Sequence, residues 1–150
     1  MKYVKNWVIF ALMAIVSVCA TSCSSDSNNE LEAYKKVNEK IFKENIEASS
    51  RNGVPQIIDY RSPEEYAAGH IEDAVNIPVT DRNAEGKIKE ELKRFEQSRN
   101  IYIYGSKSTN NTLGFYLAGI VSKEGWGLSK TFHLINGIEG WEEAGYPVVK

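Results

Sequence analysis

Few residues in this chain could serve as a nucleophile, a base or a soft metal ligand. Its 150 residues include two cysteines and two histidines. Cys19 and Cys23 both lie in the first 23 positions, so the remainder of the chain carries no thiol. That excludes disulfides, thiolate metal sites and a cysteine nucleophile from everything downstream. His70, between Gly69 and Ile71, reads as a structural hydrogen-bonding residue rather than a catalyst. His133 sits in a strand-like run with no acidic or cysteine partner at ligand spacing, and no metal or cofactor is expected. The other suggestive stretch is Gly105-Ser106-Lys107-Ser108-Thr109-Asn110-Asn111, small hydroxyl and amide residues around one cation. Ahead of a helix, such a run favours a weak anion site, with Lys107, Ser108 and Asn110 as candidate binding residues. The same composition also precedes helices in inert places. A nucleophilic Ser106 or Ser108 would need an adjacent base, and the sequence sets neither histidine beside them.

The two cysteines belong to a different kind of segment. Lys2 and Lys5 precede Trp7 to Ala20, 14 residues without a charge. Spanning a bilayer takes roughly 20 such residues, so the run fits the core of a signal peptide. It ends in Ala20-Thr21-Ser22-Cys23, which resembles a bacterial lipobox, whose cysteine is diacylated and becomes the new N-terminus. An ordinary signal peptide cut nearby, or an uncleaved anchor, would use the same residues. We expect a signal peptide over 1–22 and a polar tether over 23–30, too polar to bury apolar surface. The protein would then be exported and held on a bacterial membrane by lipid on Cys23, facing the periplasm or the surface. Processing leaves 16 basic against 20 acidic residues, with no basic stripe to attract nucleic acid.

From residue 31 onward, hydrophobic periodicity gives the elements that position the loop. Leu31 to Ser49 reads as a helix with Leu31, Tyr34, Val37, Ile41 and Ile46 on one face. Gln56–Tyr60 is a short strand, and Ser62-Pro63-Glu64-Glu65 a helix start with N-cap and N1 proline. Ala74–Ile77 is a strand halted by Pro78, and Lys87–Gln97 an amphipathic helix through Ile88, Leu92 and Phe95. Ile101–Tyr104 is the most strand-like run. It leads through the loop at 105–111 into a helix carrying Leu113, Leu117 and Ile120. Thr131–Ile135 and Gly137–Ala144 close the chain as strand and helix. Alternation of this kind predicts one α/β domain, a mainly parallel sheet with helices on both faces. Ligands in such folds sit beyond the carboxyl ends of strands, which again selects the loop after Ile101–Tyr104.

Three segments resemble the rhodanese family, together covering roughly residues 55–149. They are I-I-D-Y-R-S-P-E-E-Y-A-A-G-H-I-E-D-A-V-N-I-P from Ile57 to Pro78, I-Y-I-Y-G-S-K-S-T-N-N from Ile101, and F-H-L-I-N-G-I-E-G-W-E-E-A-G-Y-P-V from Phe132. The resemblance implies a single rhodanese-like domain over 31–150, with structural work for Asp59, Arg61, His70 and Trp141. Asp59 and Arg61 are expected to pair with each other or with nearby backbone, and Trp141 to pack the closing helix on the sheet. It also implies that residue 105 stands where active members carry the cysteine that accepts a sulfane sulfur, stabilised by loop amides. Here that position is Gly105, and the loop's usual glycine and arginine align to Ser108 and Asn110. A Gly105→Cys variant is expected to fold and to carry a thiol of lowered pKa.

The expected function is therefore a catalytically inactive domain at the cell envelope, binding a protein or a small anionic ligand. A rhodanese-type sulfurtransferase, or a subunit of one, is the rival from a different class. A structural envelope lipoprotein is the third reading.

Overall fold

A computed structural model describes residues 34–150, apart from the side chains of Asn110 and Asn111. The expected signal peptide, tether and lipid site at Cys23, and the place of Leu31 on a helix, lie outside the described residues.

Five short strands form one parallel sheet: β1 Lys35–Val37, β2 Gln56–Asp59, β3 Ala74–Asn76, β4 Ile101–Tyr104 and β5 Thr131–Leu134. Their order is β1-β5-β4-β2-β3, with β2 opposite β4 in the register Asp59↔Tyr104 and β4 opposite β5 in the register Ile103↔His133. Between them run α1 Glu39–Ser50, α2 Pro63–Ala68, α3 Glu85–Leu92, α4 Phe115–Val121, α5 Gly127–Lys130 and α6 Gly137–Glu143. Every residue of β2, β4 and β5 is buried, as expected where helices cover both faces of a parallel sheet.

Strand side chains alternate between the faces, and this divides the core in two. Ile58, Tyr60, Ile101 and Ile103 pack with Ile88, Leu92, Leu117, Ala118 and Val121 of α3 and α4. Ile57, Tyr102, Tyr104, Phe132 and Leu134 pack with Phe42 of α1 and with Ile138 and Trp141 of α6. Among the described residues, no helix is long and apolar enough to cross a membrane.

Three expectations about elements need correction. The first helix does not reach back into residues 31–38: Lys35–Val37 is an edge strand paired to β5. The helix begins after Asn38, whose side chain accepts from the Ile41 amide. Its fully buried residue is Phe42, while Ile41 is 40% exposed, so the burying face is turned from the one the spacing suggested. The helix predicted to run to Gln97 stops at Leu92, and Phe95 packs against the core from the turn that follows. The segment after the loop starts with a wide π-helical turn, Asn110–Gly114, before α4 begins. Wide turns of this type occur often at functional sites.

Candidate functional site

The loop after β4 lies at the carboxyl end of the sheet, between the end of β2 and the start of α6. Gly105 and Ser106 are buried, whereas Lys107 and Ser108 are exposed. The loop hydroxyls bond to one another: Ser106 Oγ lies 3.1 Å from Ser108 Oγ and 2.9 Å from Thr109 Oγ1. Thr109 Oγ1 also donates to the Ser106 carbonyl at 3.1 Å, and so does the Thr109 amide. The Lys107 amide donates to Glu139 Oε2 at 2.9 Å, and Gly105 O accepts from the Ile138 amide at 2.9 Å. Helix α6 is thus locked beneath the loop. Its first residue, Gly137, has φ +63°, and a Cβ there would come within 2.6 Å of Gly105 O and Lys107 N. Only glycine satisfies both the backbone and the space.

Anions are therefore not facing an empty cradle. The Glu139 carboxylate already uses the Lys107 amide, and an added anion would meet its charge. Cavities of about 620, 260 and 220 Å³ open elsewhere on the domain, none of the three lined by residues 105–111. Lys107 and Ser108 are at the rim, available to solvent but not convergent on any buried space. The side chains of Asn110 and Asn111 lie outside the described residues, so Asn110 has no geometry to report as a binding group.

Tyr60 fills the interior of the loop. It follows β2 directly, and strand parity turns it to the same side as Ile58. Its ring is 2% exposed, and a Cβ on Gly105 would lie only 2.1 Å from its Cε2 and 2.3 Å from its Cζ. The Tyr60 hydroxyl is 3.2 Å from His133 Nε2 and also bonds to Thr109. Hydroxyls and imidazole thus form a connected set, from exposed Ser108 through Ser106, Thr109 and Tyr60 to His133. Burial raises the Tyr60 pKa above its ordinary value, so the phenol stays protonated at neutral pH. Burial, and secondarily the Lys36 charge, pushes His133 down to about 4, so its ring is neutral. Its Nδ1 has no hydrogen-bond partner among the described residues. The sequence did not place either histidine near the loop. The structure connects His133 to it through Tyr60, because parallel pairing sets β5 beside β4.

The other residues singled out from sequence form a separate network on the opposite face of β2. Asp59 is fully buried, and Arg61 meets it with Nη2 to Oδ2 at 2.6 Å and Nε to both oxygens at 3.1 Å. Arg61 Nη2 also donates to the Gly69 carbonyl at 2.6 Å, and its amide to Asp59 Oδ1 at 2.9 Å. Burial opposes the guanidinium charge, but the Asp59 hydrogen bond and charge outweigh it and raise the Arg61 pKa. Asn76 Nδ2 closes the turn by donating to the carbonyls of Asp59 and Arg61. His70 stacks on Tyr66 at 3.8 Å, with Nδ1 3.0 Å from the Tyr66 carbonyl, and its backbone bridges to Val149. Trp141 is buried, its Nε1 donating to the Pro147 carbonyl. None of these four side chains is connected to the loop hydroxyls by a described hydrogen bond.

Among the described residues, no group of three or more His, Cys, Asp or Glu side chains is placed to hold a metal. The sequence reading missed two residues at the loop, Tyr60 and Glu139. An aromatic residue at a strand end opposite a glycine was the available signal for Tyr60. Glu139, in the first turn of a short helix, had none.

The family model described as "Rhodanese-like domain" matches residues 39–144. No curated protein matches the chain. Among solved structures, a rhodanese-related protein from Thermoplasma volcanium is 26% identical with a TM-score of 0.55, covering 77% of this chain and 98% of its own. A protein from Bacillus halodurans is 23% identical with a TM-score of 0.60, covering 78% and 77%. A rhodanese-like domain from Anabaena is 21% identical with a TM-score of 0.56, covering 76% and 77%. The last two are similar in fold alone.

Proposed function

Because the chain belongs to the rhodanese-like domain family, we propose that it is a non-catalytic member, a binding module tethered to a bacterial membrane by lipid on Cys23. The observation that carries the first part is at the head of the loop. Gly105 follows β4 where active members would present the sulfur-accepting cysteine, and no thiol exists from residue 24 to the end of the chain. The hydroxyls beside it do not replace that thiol. Ser106 is bonded to Ser108 and Thr109, and the only imidazole in the set is reached through two further hydroxyls. A neutral His133 with a pKa near 4 is a poor base at neutral pH.

The binding reading rests on what a rhodanese-like domain without a nucleophile still offers: a rigid sheet end and an exposed loop rim at Lys107 and Ser108. A partner protein would meet that rim; a small anion would have to displace Glu139 from the Lys107 amide. The anchoring reading rests on the charge-free run ending at Cys23.

A thiosulfate-to-cyanide sulfur transfer assay on the purified chain tests the catalytic part, with no turnover above a no-enzyme control expected. Turnover abolished by an alkylating agent would return the sulfurtransferase reading to first place. For the anchor, mass spectrometry should find a lipid-modified Cys23 as the first residue, and Cys23→Ala should block processing or release the protein. Capture experiments with Lys107→Glu beside the wild type test whether the loop rim binds.

A further inference from the structure

We propose that Tyr60 is an internal ligand of the loop, and that Tyr60 and Gly105 are mutually dependent: no side chain fits at 105 while this ring is present. The functional meaning rests on reading residue 105 as the family's nucleophile position, but the packing does not.

The backbone of Tyr60 is fixed on both sides. Its amide donates to Tyr104 O and its carbonyl accepts from the Val79 amide, both at 3.0 Å. The ring is therefore delivered into the loop by a strand end that cannot recede without breaking sheet hydrogen bonds. It ends in a hydroxyl held by His133 and Thr109, so rotation away would strand polar groups in a dry interior. A Cβ at 105 would lie 2.1, 2.3 and 2.8 Å from three ring carbons. These are atoms of a rigid aromatic, not the tip of a flexible chain. Gly114 makes room for the same group: a Cβ there would be 2.6 Å from the Tyr60 hydroxyl and 2.5 Å from His133 Cε1.

Backbone conformation does not explain either glycine. Gly114 has φ −62° and ψ −43°, which any residue adopts, and Gly105 is not among the glycines with positive φ. Space alone requires them, taken by Tyr60 at 105 and by Tyr60 and His133 together at 114. The phenol thus does what a bound small molecule would do, filling the loop's interior and satisfying its polar groups from within. A thiol at 105 is excluded twice, by the residue present and by the neighbour that occupies its volume. The expectation that Gly105→Cys folds unhindered is therefore corrected: restoring the cysteine by itself meets the Tyr60 ring and would not restore a site.

The test is a cycle on the whole chain with Gly105→Cys, Tyr60→Ala and both together, reading thermal midpoint and alkylation at residue 105 by peptide mass spectrometry. Reading that peptide alone keeps Cys19 and Cys23 out of the measurement. On the wild-type background Tyr60→Ala should lower the midpoint by more than about 5 °C. On the Gly105→Cys background it should raise it, because relief of the clash reverses the sign. Residue 105 should be alkylated at least about tenfold faster in the double variant than in folded Gly105→Cys, since only removal of the ring opens the interior of the loop. Equal lowering of the midpoint in both backgrounds would overturn the proposal. If Gly105→Cys and the double variant both fail to fold, Tyr60→Ala alone decides: phenol, the group removed beyond Cβ, should raise its midpoint and leave the wild type unmoved. No rise would overturn the proposal. Sulfur transfer by the wild-type chain would instead remove the non-catalytic reading and leave the packing argument standing.

Discussion

Two strand ends lie side by side in this domain and have been finished in opposite ways. After β2, the turn from Asp59 to Ser62 is built from charges, and every one is answered. Asp59 takes the Arg61 guanidinium and amide, Arg61 reaches Gly69, Asn76 holds the carbonyls, and Ser62 forms a reciprocal cap with Glu65. After β4, the loop from Gly105 to Thr109 contains one cation that makes no described side-chain ion pair. Its interior is filled by a neutral ring and neutral hydroxyls. The first end is a structural joint whose parts cannot be removed singly. The second is a loop whose interior is packed shut by a ring from the neighbouring strand end. The difference teaches that neighbouring strand ends of one sheet can be closed by different physics, one by a buried ion pair and one by a neutral ring.

The sharpest way to break this comparison is at the joint. Asp59→Ala would leave the Arg61 guanidinium buried without its partner, and removal of one half of a buried pair costs about 3–5 kcal/mol. Chemical denaturation should show a loss of that order, and a loss below about 1 kcal/mol would mean that the joint is not structural.

Next comes pH. The folded His133 has a pKa of about 4 against an ordinary 6.5, so between those values the unfolded chain binds more protons than the folded one. Stability from neutral His133 is full above pH 6.5 and is lost as pH falls toward 4, by about 3 kcal/mol at most. Denaturation midpoints measured from pH 7 to pH 4 should fall less steeply in His133→Asn than in the wild type. Parallel slopes would show that the imidazole is not buried as described.

Smaller still is Tyr60→Phe, which keeps the ring over Gly105 and deletes the hydroxyl that joins His133 to Thr109. A cost of about 1–2 kcal/mol is expected, with Gly105 still closed to a side chain. A neutral result would make the ring alone the filler. At the rim, Ser108→Ala should change stability by less than about 0.5 kcal/mol, since Ser108 is exposed and its bond to Ser106 is duplicated by Thr109. A larger loss would make the rim part of the packed interior.

Much of the fold was legible because the signals were local. The strands at Gln56–Asp59, Ala74–Asn76 and Ile101–Tyr104 announce themselves as short apolar runs bounded by turn residues, and Ser62-Pro63 sets a helix start that the backbone obeys. The start of the first helix is not legible because Lys35–Val37 is an edge strand, and three residues carry too little periodicity to reveal a pairing partner almost a hundred positions away. The end of α3 is hidden in the sequence because Phe95 continues the apolar spacing while packing from a turn. The loop's position was legible as well, since it follows the strongest strand of an alternating pattern.

By itself, the sequence determined that no thiol exists beyond Cys23 and that one α/β domain follows. It also determined that Gly105 stands at the head of a small polar loop. Those are facts of residue identity and short-range pattern. Only the tertiary structure decided what fills that loop. Strand parity turns Tyr60, rather than Asp59, toward it, parallel pairing of β5 with β4 brings His133 to the hydroxyl, and the start of α6 lays Glu139 on the Lys107 amide. Each of these contacts joins residues 32 to 73 positions apart. The volume left over by a missing side chain is defined by its neighbours in space, which no stretch of sequence lists.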